Sequence, residues 1–319
     1  MKTERGFALL QVLLVFAILA IIVTQLQYEQ RIQIERAYQS LFLSQAQAYI
    51  DSAEEIAQVG LVLDKRDNDT DHLGELWNQP ALSFPVDSGL IALEMNDLQG
   101  RFNVNALYPS AANPGGAKTA LKRLLLTLQL DDTIADELGD WFDEDSGAEF
   151  DYGDQDPPYT PSFKPMADSS ELLLLKSVDR ETLSVLQPYV ATLPLQAELN
   201  INTAPAEVLM TIAPFLSEAD VQSFIQQRNE AAFTSVDDFL NQAVFQSQEE
   251  DEAIPLFNDR LTVSSAWFSL FTEVTLGDRT LTQSSHILRE NDQARIALRS
   301  QAETEANRTP GDTTKDDTQ

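Results

Sequence analysis

The chain contains no cysteine. Disulfides, thiolate metal sites and cysteine nucleophiles are therefore excluded, although the count does not identify the redox compartment. Histidine is nearly absent as well: His72 and His286 stand far apart, which disfavours a histidine-dependent zinc site or a Ser-His-Asp triad. Basic residues are scarce, 21 Lys and Arg against 51 Asp and Glu, for a net charge of −30 over 319 residues. Phosphate contacts need Lys and Arg, so nucleic acid and anionic lipid are poor partners for the soluble part. A solvated acidic surface, cationic partners or a divalent cation remain. Glycine and proline are missing from one long stretch, with neither between Phe7 and Val59. Long apolar runs are missing too, except at the start of that same stretch.

What is there begins with that exception. A charged head (Lys2, Glu4, Arg5) meets Gly6, and an apolar run from Phe7 to Val23 follows, interrupted only by Gln11. As a helix this run is about 26 Å long, close to a hydrocarbon core of roughly 30 Å. Three readings compete. A secretory signal peptide needs a small-residue cleavage site, and Ile21-Ile22-Val23-Thr24-Gln25 is a poor one. A plain membrane anchor fits on length alone. A prepilin-type leader fits the Arg5-Gly6-Phe7 junction and the helical continuation, and the basic head suits the cytoplasmic side. Beyond Val23 the pattern turns amphipathic through Leu26, Ile34, Ala37, Tyr38, Leu41, Gln45, Ala48 and Tyr49. One helix over 7–59 is expected, stopped by Gly60.

The hydrophobic content of 43% makes the rest globular, large enough for one or two cores. Residues 61–82 read as a polar loop, Leu90–Met95 as a strand, Asn96–Gly100 as a turn and Arg101–Asn105 as a second strand. Helical patterns follow over 117–130, from Asp131 toward Trp141, and near 171–176 and 182–186. Thr203, Ser217 and Ser235 sit as helix caps, with Pro205 in the first turn after Thr203. Residues 266–276 and 279–287 alternate and are joined by Gly277-Asp278, a hairpin signal. The predicted class is α+β. The long helix packs on one small antiparallel sheet made from residues 88–105 and 260–289, and a helical block is inserted into it. The expected units are 60–106 with 259–289 for the sheet domain, 107–258 for the insert, and 290–319 for a disordered polar tail.

The densest chemical cluster is Asp140–Asp156, which holds eight carboxylates in seventeen residues. Such groups repel unless solvated or neutralised, and calcium takes six to eight oxygen ligands from loops of this kind. Asp143, Asp145 and Gly147 resemble the start of an EF-hand, but the expected bidentate Glu is missing, since Asp154 and Gln155 stand there. The candidate ligands are Asp140, Asp143, Asp145, Glu149, Asp151, Asp154 and Asp156; a merely solvated acidic loop is the alternative. A glycosidase-type carboxylate pair fits the composition, but no spacing supports it. Residues 199–240 resemble a helix-hairpin-helix module. Its hairpin, Ile212–Leu216, has no glycine, and Pro214 offers no N–H, so a structural or protein-docking role is favoured over DNA binding. Asn113–Thr119 lacks the spacing of a phosphate loop, and Trp267-Phe268 read as strand packing.

Taken in order, Arg5-Gly6-Phe7, Asp97–Asn105, Asp140-Trp141-Phe142-Asp143, Gly147-Ala148-Glu149, Pro157-Pro158-Tyr159, Leu199–Leu209 and Ser264–Phe268 resemble the general secretion pathway protein K family, large minor pseudopilins of type II secretion. The resemblance spans about residues 5–289. It implies a pilin-like fold with an inserted α-helical domain and bound calcium. It implies that residues 1–6 are a leader removed by prepilin peptidase after Gly6, with Phe7 methylated. It implies an inner-membrane anchor, a periplasmic globular part, and a complex with I- and J-type minor pseudopilins at the pseudopilus tip. Other pseudopilins and secreted substrates are further expected partners. Gln11 becomes the fifth mature residue, where most relatives outside the subfamily carry Glu to pair with a neighbour's N-terminal ammonium. An uncharged residue cannot make that pair, which suits a subunit with none above it; tolerance of a polar residue near the membrane surface is the plainer account. No enzyme activity is expected. A minor pilin of a type IV pilus, and a membrane-tethered periplasmic hydrolase, are the alternatives.

Overall fold

The computed structural model describes residues 4–79, 82–246, 261–290 and 292–300, with backbone alone for 4–9. The chain opens with α1 (Glu4–Asp67), followed by β1 (Leu82–Val86), β2 (Gly89–Asp97) and β3 (Phe102–Asn103). The helical block holds α2 (Pro114–Thr127), α3 (Thr133–Phe142), α4 (Ala148–Gly153) and α5 (Arg180–Leu186). Short strands β4 (Val190–Ala191) and β5 (Leu199–Asn200) precede α6 (Ala206–Leu209), α7 (Glu218–Glu230), α8 (Val236–Leu240) and α9 (Ala243–Gln246). The chain then returns to strands: β6 (Leu261–Thr262), β7 (Trp267–Leu276), β8 (Arg279–Glu290) and β9 (Gln293–Ser300).

The main sheet is antiparallel throughout, in the order β1-β2-β7-β8-β9. One face of α1 lies on it. Ala46, Ile50, Ala53, Ala57 and Leu61 recur every three or four residues and are buried against Ile91, Leu93, Phe268, Leu270, Val274 and Ile287. Three alanines in that stripe let the helix backbone approach the sheet closely. Of the amphipathic stripe read from the sequence, Tyr49 packs here and the rest does not. Leu26, Ile34, Tyr38 and Leu41 are exposed, because apolar packing on the sheet begins only at about Phe42, upstream of which Arg279 of β8 pairs with Glu35. The upstream helix projects beyond the globular part with its apolar residues bare.

Three further expectations are corrected. The helix does not stop at Gly60 but runs to Asp67. A mid-helix glycine costs only about 1 kcal/mol, and burial of the neighbouring Leu61 is worth more. Residues 101–105 do not join the main sheet. Phe102 and Val104 are drawn into the core of the helical block, and β3 makes a two-residue parallel pair with β4. The stretch from 290 is not wholly disordered, since β9 forms the sheet's outer strand through an alternation of exposed and half-buried residues. The remainder of the expected tail, 301–319, and residues 247–260 of the insert lie outside the described residues.

The helical block has its own core. It is built on α2 (Leu121, Leu124, Leu125), α3 (Ile134, Leu138, Trp141, Phe142) and the segment from Leu199 to Phe245. Ser217 forms a capping box with Asp220, and Ser235 accepts the Asp238 N–H, as those cap positions predict. Thr203 is different. The residue before α6 is Pro205, and the Thr203 hydroxyl donates elsewhere.

Candidate functional site

Three places carry the functional argument: the acidic loop, the joint between insert and sheet, and the bare end of α1.

The acidic loop joins α3 to α4. Asp143 Oδ1 accepts the Asp145 N–H at 3.0 Å, and the Ser146 hydroxyl caps the carbonyls of Asp140 and Asp143, each at 2.7 Å. Gly147 turns the chain with φ of 80°, a left-handed conformation that favours glycine. Asp140, Asp143, Asp145, Asp151, Asp154 and Asp156 are exposed; Glu149 is half-buried, and its Oε2 is shielded from solvent without a hydrogen-bond partner. Asp151 pairs with Lys176 at 3.1 Å. Among the described residues, no three of the seven candidate ligands converge on one point. The donors around Gly147 are all hard oxygens, and the orphaned Glu149 oxygen is a group that a calcium ion would satisfy.

Sequence reasoning missed Glu137, which anchors this loop. It accepts hydrogen bonds from the Tyr152 hydroxyl and the Lys176 N–H, both at 2.6 Å, and from the Ser177 N–H and hydroxyl. Burial pushes the Glu137 carboxyl up, but these hydrogen bonds outweigh it and hold the group below the ordinary glutamate range. Burial, reinforced by Glu137, pushes the Tyr152 hydroxyl far up, so it stays a donor. The flanking aromatics are packing: Trp141 meets Tyr152 edge to face with centroids 4.9 Å apart.

At the joint, three separate sequence motifs meet. Asp97 ends β2 and is buried. Its Oδ1 accepts the Gln99 N–H at 2.8 Å. Its Oδ2 accepts the hydroxyls of Thr203 and Ser265, both at 2.6 Å, and the Asn200 amide at 3.1 Å. Asn200, also buried, donates to the Asp71 carbonyl at 3.1 Å and to Ser265 at 2.8 Å. The Gln99 side chain accepts the N–H groups of Ala266 and Trp267 and donates to the Glu198 carbonyl. Desolvation dominates at Asp97 and raises its pKa to about 6 despite these donors. Arg289 reaches the same node. It is buried on Asp71 at 2.6 Å and donates to the carbonyls of Leu61 at 3.1 Å and Ser265 at 2.7 Å.

The helix-hairpin-helix-like segment is held by Arg228, whose guanidinium donates to the carbonyls of Ile201 at 2.8 Å and Ala204 at 2.6 Å. Its hairpin residues Ile212 and Ala213 are fully buried, so they present no amides to a phosphate backbone. A cavity of about 510 Å³ opens between the sheet and the insert, lined in part by Arg101, Asp168, Arg180 and His286. Among the described residues, Asp168 is the one carboxylate on its wall, and no second one stands beside it as a paired acid or base.

At the other end, Gly6, Phe7 and Gln11 all fall within α1, and α1 is long and apolar enough to cross a membrane.

Comparison with known proteins accounts for this architecture. Two family models described as type II secretion system protein K match residues 100–195 and 199–257. The type II secretion system protein K of Pseudomonas aeruginosa is 30% identical over 296 residues, covering 87% of this chain and 86% of that protein. The Klebsiella pneumoniae protein of the same name is 31% identical over 306 residues, covering 88% and 91%. A chain in the crystal structure of the GspK-GspI-GspJ complex from enterotoxigenic Escherichia coli superposes with a TM-score of 0.73 at 27% identity, covering 84% of this chain and all of that one. The chain therefore belongs to the type II secretion system protein K family, and its role is that of a minor pseudopilin of that system.

Proposed function

We propose that this pseudopilin sits at the tip of the pseudopilus in a complex with I- and J-type partners, anchored in the inner membrane by α1 with its globular part in the periplasm. The observation that carries the reading is the bare apolar length of α1 upstream of the sheet. Its first part has the length and apolarity of a membrane span, and the exposed Leu26, Ile34, Tyr38 and Leu41 beyond it suit packing against partner helices. Gln11 offers no carboxylate to a neighbour's N-terminal ammonium, and the bulk of the insert discourages a subunit above it. The chain acts by assembly and carries out no catalysis. Co-expression of the full chain with I- and J-type pseudopilins tests this: a stable complex in detergent is expected, and failure to co-purify would overturn it. Processing after Gly6 predicts a mature N-terminus at methylated Phe7; mass spectrometry that found any other N-terminus would remove the leader from the account.

Calcium belongs to the same proposal. Asp143, Asp145 and Glu149 would hold it, with Asp140, Asp151, Asp154 and Asp156 as further oxygens around the loop. A bound calcium would supply charge neutralisation and fix the loop between α3 and α4. Melting of the purified protein in EDTA and in calcium tests it. The calcium-dependent rise should shrink in the Asp143→Ala/Asp145→Ala/Glu149→Ala protein, and an undiminished rise counts against the loop.

A further inference from the structure

The three acidic side chains that do converge are not in the acidic loop. Asp64, in the last turn of α1, and Asp71 and Glu75, in the segment after it, each bring a carboxylate oxygen to within 4.8 Å of the others. Asp71 and Glu75 are more than nine-tenths buried and Asp64 is half-buried. Unpaired carboxylates this close are costly in a low-dielectric site. Arg289 answers part of the charge, on Asp71 at 2.6 Å and Asp64 at 3.4 Å. Fully ionised, the three carboxylates exceed this one guanidinium by two charges; Lys65 reaches the cluster only through the Ser264 hydroxyl, and burial holds the Asp64 and Glu75 carboxyls above their ordinary range.

The free valences point the same way. Glu75 uses Oε2 for the Trp77 indole N–H and the His72 N–H, while its Oε1 is buried with no hydrogen-bond partner. Asp71 Oδ2 is filled by Arg289, Ser264 and Ser265, but Oδ1 meets Arg289 alone. The one imidazole nearby has His72 Nε2 3.8 Å from Glu75 Oε1. His72 Nδ1 accepts the Gly74 N–H at 3.1 Å, so Nε2 carries the proton and offers no lone pair to a metal. The donor set is oxygen only, which selects a hard cation over zinc.

We propose that Asp64, Asp71 and Glu75 form a second cation site, at the C-terminal end of α1, that takes a hard divalent ion of the calcium class. An ion there brings the charge of the cluster to balance and satisfies Glu75 Oε1. It also ties the end of the long helix to the segment that leads into the sheet. The site shares no residue with the acidic loop.

Terbium luminescence of the full chain in detergent, stripped with EDTA, reads the site directly, because the Trp77 indole bonds the ligand Glu75. The Asp143→Ala/Asp145→Ala/Glu149→Ala background removes the loop, so failure of either site is seen separately. In that background, terbium emission excited through tryptophan should appear and be displaced by calcium chloride. Trp77→Phe should remove the emission yet keep a calcium-dependent rise in melting temperature. Glu75→Gln keeps the side-chain volume and removes one charge. It should melt above its parent in EDTA and lose the response to both ions. Asp64→Asn, on the more exposed ligand, should weaken terbium binding at least tenfold. Emission unchanged by Glu75→Gln, or no calcium-dependent stabilisation in the background protein, would overturn the proposal.

Discussion

Asn200→Ala tests whether the insert is locked to the sheet through hydrogen bonds rather than through apolar contact. The amide is buried: its NH2 shares two protons among the Asp71 carbonyl, Asp97 Oδ2 and the Ser265 hydroxyl, and its Oδ1 accepts the Asn202 N–H at 2.9 Å. Truncation strands the Asn202 N–H and the Asp71 carbonyl, each buried group costing about 1–3 kcal/mol when left unmade. Asp97 keeps Gln99, Thr203 and Ser265, so its loss is a fraction of one charge-assisted bond. The expected cost is about 3–5 kcal/mol, a large part of the ~5–15 kcal/mol that a domain has to spare. Urea unfolding of the full chain in detergent measures it, followed by tryptophan fluorescence and by far-ultraviolet circular dichroism. Both signals should move to lower urea, and they should separate as sheet and insert lose their coupling. A double-mutant cycle with Asp97→Asn should show an interaction of about 1–2 kcal/mol. A loss below about 1 kcal/mol, or strict additivity with Asp97→Asn, would refute the claim that this node joins the two parts.

Asp97 also sets a pH dependence. Its pKa is about 6 in the folded protein against 3.8 ordinarily, so the native state binds the proton more tightly. The stabilisation this brings is complete below pH 4 and is lost as pH rises through 6, an effect on the order of 3 kcal/mol. The stability difference between parent and Asp97→Asn should therefore shift in the parent's favour from pH 7 to pH 4; a flat difference would count against it. Gly89→Ala should cost about 3 kcal/mol or more, read from the melting temperature, because an added Cβ would stand 1.7 Å from the Thr275 carbonyl oxygen across the β2–β7 pair. Arg299→Met should cost about 2 kcal/mol in urea unfolding by leaving the buried Glu54 carboxylate with only Ser285 and Gln283, a figure reduced because Arg299 is half-exposed.

Much of the fold was legible where the signal is local. Gly277-Asp278 between two alternating runs forms the β7–β8 hairpin, with Gly277 at φ of 62°. Ser217 and Ser235 cap the helices they precede. What was not legible depends on which partner wins a side chain. Thr203 has the residue type of a cap, but a buried carboxylate 106 residues earlier in the chain takes its hydroxyl. Phe102 and Val104 alternate like a strand, but the helical core claims both. The buried stripe of α1 is mostly alanine, which reads as indifferent until a sheet lies against it. At the candidate sites, the density of the acidic loop was visible and its anchor Glu137 was not, because the groups that define it arrive from Tyr152, Lys176 and Ser177. The Asp64, Asp71 and Glu75 cluster hides in a segment that reads as an ordinary polar loop.

The motifs that identify the family acquire one physical meaning at the joint. Asp97 and Gln99, Asn200 and Thr203, and Ser265 belong to three distant stretches, and each stretch is tied to the other two by side-chain hydrogen bonds. The two apolar cores are built from different residues, one in the helical block and one between α1 and the main sheet. Buried polar networks of this kind contribute little net stability compared with apolar packing; their stronger effect is on geometry, since a shifted register leaves charges unmet. Arg289 extends the network to the Leu61 carbonyl, Asp64 and Asp71, and so to the end of α1. Stalk helix, sheet and insert thus share one polar joint. In a subunit whose helix packs in a bundle, the direction of that helix then determines where the insert points. Substitutions at Asn200, Asp97 or Arg289 should therefore damage assembly before they abolish folding of either part.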